Sequence, residues 1–348
     1  MTQSLLPPSI KPQWFGGNFR QFMKDRLGFL TKLSKLGDVA TFKMGKQTAF
    51  FINHPDLIRD VLVTNHYKFE KGRALKQAKK LLGEGLLTSE GKEHLRQRRM
   101  IQPVFHRQRI ANYANTMIEF GEKMADEWKD GAEIDVSQEM MRLTLQIVGK
   151  TLFSANVSDD TDEVGKAMTT LVELFDYLLM PYAELLEKLP LPYSKRFRKA
   201  KISLDAIIYE FINERRKSGE DKGDLLSMLL IAQDEDDGGQ MTDIQLRDEC
   251  LTLFLAGHET TANALTWTWY LLSQNPEAEA KFYEEIDTVL GNRQIVPEDY
   301  QKLKFTEAVL AEGVTDEKFL KAPVKVIMPE KKEKSDKAQA AGAVGSII

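Results

Sequence analysis

Apolar and polar positions along the chain change rhythm once. In "VATFKMGKQTAFFI" (39–52) they alternate on either side of Gly45, which predicts a β-hairpin. "HPDLIRDVLV" (54–63) switches to helical spacing, with Pro55 near the helix start. From about residue 92 onward a three-to-four-residue period dominates. It runs through "RIANYANTMIEFGEKMADEW", "DVSQEMMRLTLQIVGKTLF", "DEVGKAMTTLVELFDYLLM" and "RKAKISLDAIIYEFINERRK". The acidic, Gly-rich "QDEDDGGQ" (233–240) lacks the ligand spacing of a calcium loop and reads as a surface loop. Next comes a capping box, Thr242 with Gln245, which places a helix start at Asp243. No breaker except Gly257 follows before Asn275-Pro276, so the helix should run ~32 residues, or ~48 Å. "PEAEAKFYEEIDTVLG" (276–291) predicts one more helix, with Pro276 early and Gly291 as the stop. The fold class is therefore mainly α with a small N-terminal β region.

The long helix poses a chemical question. "LTLFLAGHETTANALTW" (251–267) is apolar but carries His258, Glu259, Thr260 and Thr261 at its centre. Burying a carboxylate there costs several kcal/mol unless it is paired or used. A membrane span fails on that central charge and on flanks without a basic cluster. A zinc protease needs a second histidine one turn after His258, where Ala262 stands. A structural reading has Thr260 and Thr261 bonded to carbonyls one turn back, with Glu259 turned to solvent. Against it stands Gly257, which weakens a helix interior. Together with Ala256 it leaves a shallow patch that something flat could approach.

Composition narrows the classes. The chain has 348 residues, 42% hydrophobic and 29% charged, with a net charge of −4, as expected of a folded globular protein without a field for nucleic acid. Local basic runs, "RQRR" (96–99) and "KRFRK" (195–199), read as solvated faces. A single cysteine, Cys250, permits no internal disulfide and no zinc pattern. The opening "MTQSLLPPSIKPQWFGG" has neither a basic start nor a long apolar run, so the expectation is a cytoplasmic protein without a transmembrane anchor.

"AGHETT" (256–261) resembles the helix-I motif of the cytochrome P-450 heme-thiolate monooxygenases, A/G-G-x-D/E-T-T/S. "GEGLLTSEGKEHLRQRRMIQPVFH" (83–106) resembles the family's helix-C region, and "KFTEAVLAE" (304–312) the start of helix K. The order and separations agree over residues about 10–312. The resemblance implies heme b as cofactor, a small apolar organic substrate, and electrons from a ferredoxin or flavin-type reductase. It implies that His94 and Arg98, an i, i+4 pair, hold the heme carboxylates. Ala256 and Gly257 would lie against the heme, Glu259 and Thr260 would serve oxygen activation and proton relay, and residues 165–200 would form a lid.

The pattern departs from the family after that. Helix K should read E-x-x-R, whereas the chain reads Glu312-Gly313-Val314-Thr315, leaving the glutamate without its arginine. The heme loop F-x-x-G-x-R-x-C-x-G does not occur. Residues 1–312 are thus expected to form a partial domain that exposes surface the rest would cover. Residues 313–348 are expected to be an unmatched charged tail, truncated, frameshifted or fused, with a short strand in "APVKVIMP" (322–329). Cys250 cannot replace the axial sulfur: it stands nine residues before Glu259, ~13.5 Å along and about 180° around the same helix. It reads as a small buried hydrophobe. Among the histidines, His258 should point away from the metal, and His54, His66 and His106 should sit at turns or on the surface. The expectation is a monooxygenase-derived chain that is inactive as written. Two alternatives are a helical apolar-ligand-binding or scaffold protein and a His-ligated heme protein with peroxidase-like activity.

Overall fold

The computed structural model describes residues 6–14, 16–129, 131–155, 165–167, 170, 171, 174, 189, 191–233, 238–315 and 326–327. They belong to two compact units, residues 1–71 and 72–348.

The first unit holds α1 (Phe19–Lys24), α2 (Arg26–Ser34), the hairpin β1 (Val39–Met44) and β2 (Gln47–Ile52), and α3 (Pro55–Arg59). A π-helical turn, Asp60–Thr64, continues α3. The hairpin forms where alternation placed it, with antiparallel register from Val39↔Ile52 to Met44↔Gln47. Gly45 takes φ +62° in its two-residue turn, a conformation that β-branched or bulky residues resist. Phe29, Leu33 and Ala40 form a small core, closed by an edge-to-face contact of Phe29 with Phe42 at 5.3 Å.

The second unit is helical. It comprises α4 (Arg73–Leu82), α5 (Gly91–Ile101), α6 (Arg107–Glu127), α7 (Val136–Phe153), α8 (Pro192–Ser218), α9 (Leu225–Ile231), α10 (Asp243–Gln274), α11 (Pro276–Leu290) and α12 (Lys304–Thr315). A two-residue strand β3 (Glu133–Ile134) pairs antiparallel with β4 (Val326–Ile327), inside the segment where a strand was expected. Most of the helix expected over 162–180, most of the lid and most of the tail lie outside the described residues; residues 165–167, 170, 171 and 174, which are described, are helical.

Helix α10 organises this unit. Its start is the expected capping box: the Thr242 hydroxyl accepts from Gln245 N at 3.3 Å, and Gln245 Oε1 accepts from Thr242 N at 2.9 Å. It then spans 32 residues and passes through two cores. Cys250, Leu251 and Phe254 join α4, α7, α8 and α9 in one; Ala262, Leu265 and Leu272 join α7 and α11 in the other. Each large apolar side chain so buried stabilises by about 1.5–3 kcal/mol. Two such cores fix the helix at both ends, so its middle is a rigid platform.

Candidate functional site

Halfway along α10 the pattern of burial opens. Phe254, His258 and Ala262 are buried, yet Ala256, Thr260 and Thr261 between them are exposed. Ala256 and Thr260 stand one turn apart on the same face. The Thr260 hydroxyl donates to the Ala256 carbonyl at 2.6 Å, the bond to a preceding turn that the structural reading required. Its donor is thereby engaged, while its oxygen can still accept. Glu259 beside it is half-buried and has no hydrogen-bond or ion-pair partner among the described residues. Burial pushes its carboxyl above the usual glutamate range. A carboxyl so placed takes up and releases protons nearer neutrality, as a relay requires.

Gly257 and His258 both meet α7. A Cβ on Gly257 would stand 3.1 Å from Val148 Cγ2, so the missing side chain lets α10 close on α7. Of the expected small-residue patch, Ala256 is exposed and Gly257 is half-buried with Val148 on one side. His258 is 4% exposed and donates from Nε2 to the Met141 carbonyl of α7 at 3.1 Å. Burial lowers its pKa, and the Met141 bond opposes this only partly. It lies about 200° around the axis from Ala256, turned away from the open face as expected.

His94 and Arg98 sit on α5. His94 is half-buried, and its Nδ1 lies 3.0 Å from the Leu86 carbonyl. A carbonyl only accepts, so the proton is on Nδ1. Arg98 is exposed and engages no described residue. The loop before α5 is held by α10: Glu84 N donates to Asp248 at 2.8 Å and Leu86 N to Glu249 at 2.8 Å. Glycine is needed in this loop twice, because side chains at Gly83 or Gly85 would overlap Asp248 or Thr252. Thus one hydrogen-bonded path joins His94 on α5 to α10.

The acidic anchors of that path escaped the sequence reading. Arg247, Asp248 and Glu249 are all buried at the start of α10. Arg247 binds Asp205 of α8, Asp248 at 2.8 Å and the Leu81 carbonyl at 3.0 Å. A run of three charges facing inward was the available signal. Next to them Cys250 is fully buried, and burial, followed by the charges of Glu249 and Asp224, pushes its thiol far up. It is the core residue expected and does not form a thiolate.

Glu312, at the helix-K motif position whose arginine the sequence lacks, lies on the exposed side of α12 and has an interaction of its own. Its neighbour Gly313 is the buried one, where a Cβ would overlap the Thr268 hydroxyl. The start of α12 is capped from α11, where Glu285 accepts from Phe305 N at 2.7 Å and Thr306 N at 2.8 Å. His54 caps α3, and His66 and His106 are exposed, as turns and surface predict. No described helix is long and apolar enough to cross a membrane.

Residues 7–314 match the family described as Cytochrome P450. Cyclooctatin synthase of Streptomyces melanosporofaciens is 39% identical over 290 residues, covering 83% of this chain and 63% of that protein. Cyclooctat-9-en-7-ol 5-monooxygenase of the same organism is 36% identical, again over 83% of this chain and 63% of its own length. Pentalenene oxygenase of Streptomyces avermitilis is 36% identical over 301 residues, 86% of this chain and 66% of that protein. The chain thus spans slightly under two thirds of these relatives.

Proposed function

The chain belongs to the cytochrome P450 family, and on that premise we propose that its parent activity is monooxygenation, the transfer of one oxygen atom from O2 to a small apolar organic substrate with electrons from a ferredoxin or flavin-type reductase. The relatives' names, which record an alkene and an alkenol as substrates, support an apolar substrate class. The observation that carries the reading is the opening in α10, where Ala256 and Thr260 are exposed and Glu259 beside them has no partner among the described residues.

The family implies heme. On one face and at the rim these residues fit it. Ala256 offers a surface without bulk, and His94 and Arg98 offer donors to the cofactor's carboxylates, Arg98 through a bidentate fork. When bound, heme supplies the binding and reductive activation of O2. Thr260 accepts a hydrogen bond at the open face, and donates one there when its hydroxyl leaves the Ala256 carbonyl. Glu259 holds a proton at its carboxyl and passes it toward that hydroxyl.

Cys250 does not fit as the axial ligand, because its thiol is buried in the first core and held protonated. Residues 1–348 on their own are accordingly expected to be inactive as an oxygenase. The test is to add heme to the purified chain, reduce it, expose it to carbon monoxide and record the spectrum. A thiolate-type Soret band would contradict the assignment of Cys250 to the core. His94→Ala and Arg98→Ala should each weaken heme binding about tenfold, the loss of one charge-assisted hydrogen bond. Unchanged affinity in both would remove the carboxylate role.

A further inference from the structure

We infer that Glu249 is a positioning residue that sets the orientation and tautomer of His94 through the Leu86 peptide. The proposal rests on the reading of His94 as a carboxylate-facing residue for its purpose, but not for its geometry.

Leu86 is held through both of its main-chain polar groups. Leu86 N donates to Glu249 Oε2 at 2.8 Å, and the carbonyl of the same residue accepts from His94 Nδ1 at 3.0 Å. Residue 86 is therefore gripped on its amide side by α10 and presents its oxygen to α5. Glu249 is completely buried, on a helix fixed by two cores, so its carboxylate is a stationary anchor. The grip is reinforced one step earlier, where Asp248 accepts from Glu84 N at 2.8 Å and is itself held by Arg247 at 2.8 Å. Gly83 lets the loop backbone lie directly on the Asp248 carboxylate, and Gly85 lets it lie on the Thr252 hydroxyl and the Asp248 main-chain carbonyl. Gln97, one turn after His94 on α5, closes the other side by donating to the Glu84 carbonyl at 2.6 Å.

The consequence for His94 is chemical. A carbonyl fixed at Nδ1 allows only the tautomer with its proton there. In the neutral ring Nε2 then carries the lone pair. Gain of a proton makes Nε2 a donor while the Nδ1 bond is kept, which is the state suited to a carboxylate. A buried carboxylate held at the far end of the path is the arrangement by which an outer residue fixes a functional histidine. Here the fixing group acts across a backbone unit instead of touching the ring.

The experiment uses the full chain without cofactor. Histidine 15N spectra report the tautomer of His94, assigned with His94→Ala, and hydrogen exchange reports the Leu86 amide. The wild-type chain should show an Nδ1–H tautomer and a protected amide. Glu249→Ala should raise Leu86 exchange about tenfold or more, as loss of a bond to a charged group implies, and leave a mixed tautomer. Glu249→Gln, which keeps an acceptor oxygen, should retain the tautomer, whereas a merely structural role predicts no such rescue. An Nε2–H tautomer in the wild-type chain overturns the proposal without any variant, even if Glu249→Ala does not fold. So does a folded Glu249→Ala with unaltered tautomer. Heme affinity separates the two readings. If Glu249→Ala changes the tautomer and His94→Ala leaves affinity untouched, the positioning stands and the cofactor role of His94 falls.

Discussion

Glu259 and His258 are neighbours in sequence, and burial drives both toward their neutral forms, from opposite directions. For Glu259 the native state keeps a proton that the unfolded chain has already lost. Stability therefore falls as pH rises from the ordinary glutamate range to the raised native value, and the cost persists above it. Glu259→Gln should stabilise the chain at neutral pH, with the gain vanishing below the ordinary glutamate range. Urea unfolding at neutral and acid pH checks this, and equal midpoints at neutral pH would contradict the burial assignment. The insert itself was legible in the sequence, because four polar residues in an apolar helix demand an explanation. Which of them faced outward was not, since helical period gives relative angles but not the position of neighbouring helices.

At the scale of elements, the hairpin and the capping box were readable because both depend on residues two or three positions apart. Helix contacts were not. Gly257 was read as room for a cofactor, and the sequence did not show that it also stands close to Val148 of α7. Gly257→Ala gains about 1 kcal/mol of helix propensity but drives a methyl against the stiff Val148, for a net loss of about 1 kcal/mol. In a double-mutant cycle Val148→Ala should recover about 1 kcal/mol of that loss, measured by denaturant midpoints. Independent, additive effects would remove the contact from the explanation. Nor did the sequence show that α12 turns Gly313 inward and Glu312 outward.

The unit as a whole is tied together by side chains far apart in the chain. Arg247 of α10 joins α8 and the end of α4, a junction that no local pattern announces. Arg247→Met would leave Asp205 and Asp248 facing each other across low-dielectric space and should cost about 3 kcal/mol. Thermal unfolding checks it, and a loss below about 1 kcal/mol would mark the cluster as solvated. In the first unit, Leu62 at 68% exposure, Val63 at 62% and Tyr67 at 71% form an apolar run in and after the π turn. Such a run favours self-association. Leu62→Glu with Val63→Thr should reduce binding of a hydrophobic dye and concentration-dependent scattering, while changing stability by no more than about 0.5 kcal/mol. Unchanged scattering would place the sticky surface elsewhere.

The carboxylates of Asp248 and Glu249 seize main-chain amides of the loop before α5, and every residue type except proline supplies the same N–H. Position 84 meets α10 through its main chain, while its side chain, 62% exposed, reaches only an outer pairing with Lys79 among the described residues. A randomised library at that position, with both glycines kept, would alter the chemistry at the loop's outer surface while its scaffold stayed in register, giving selection a place to act without first destroying the fold.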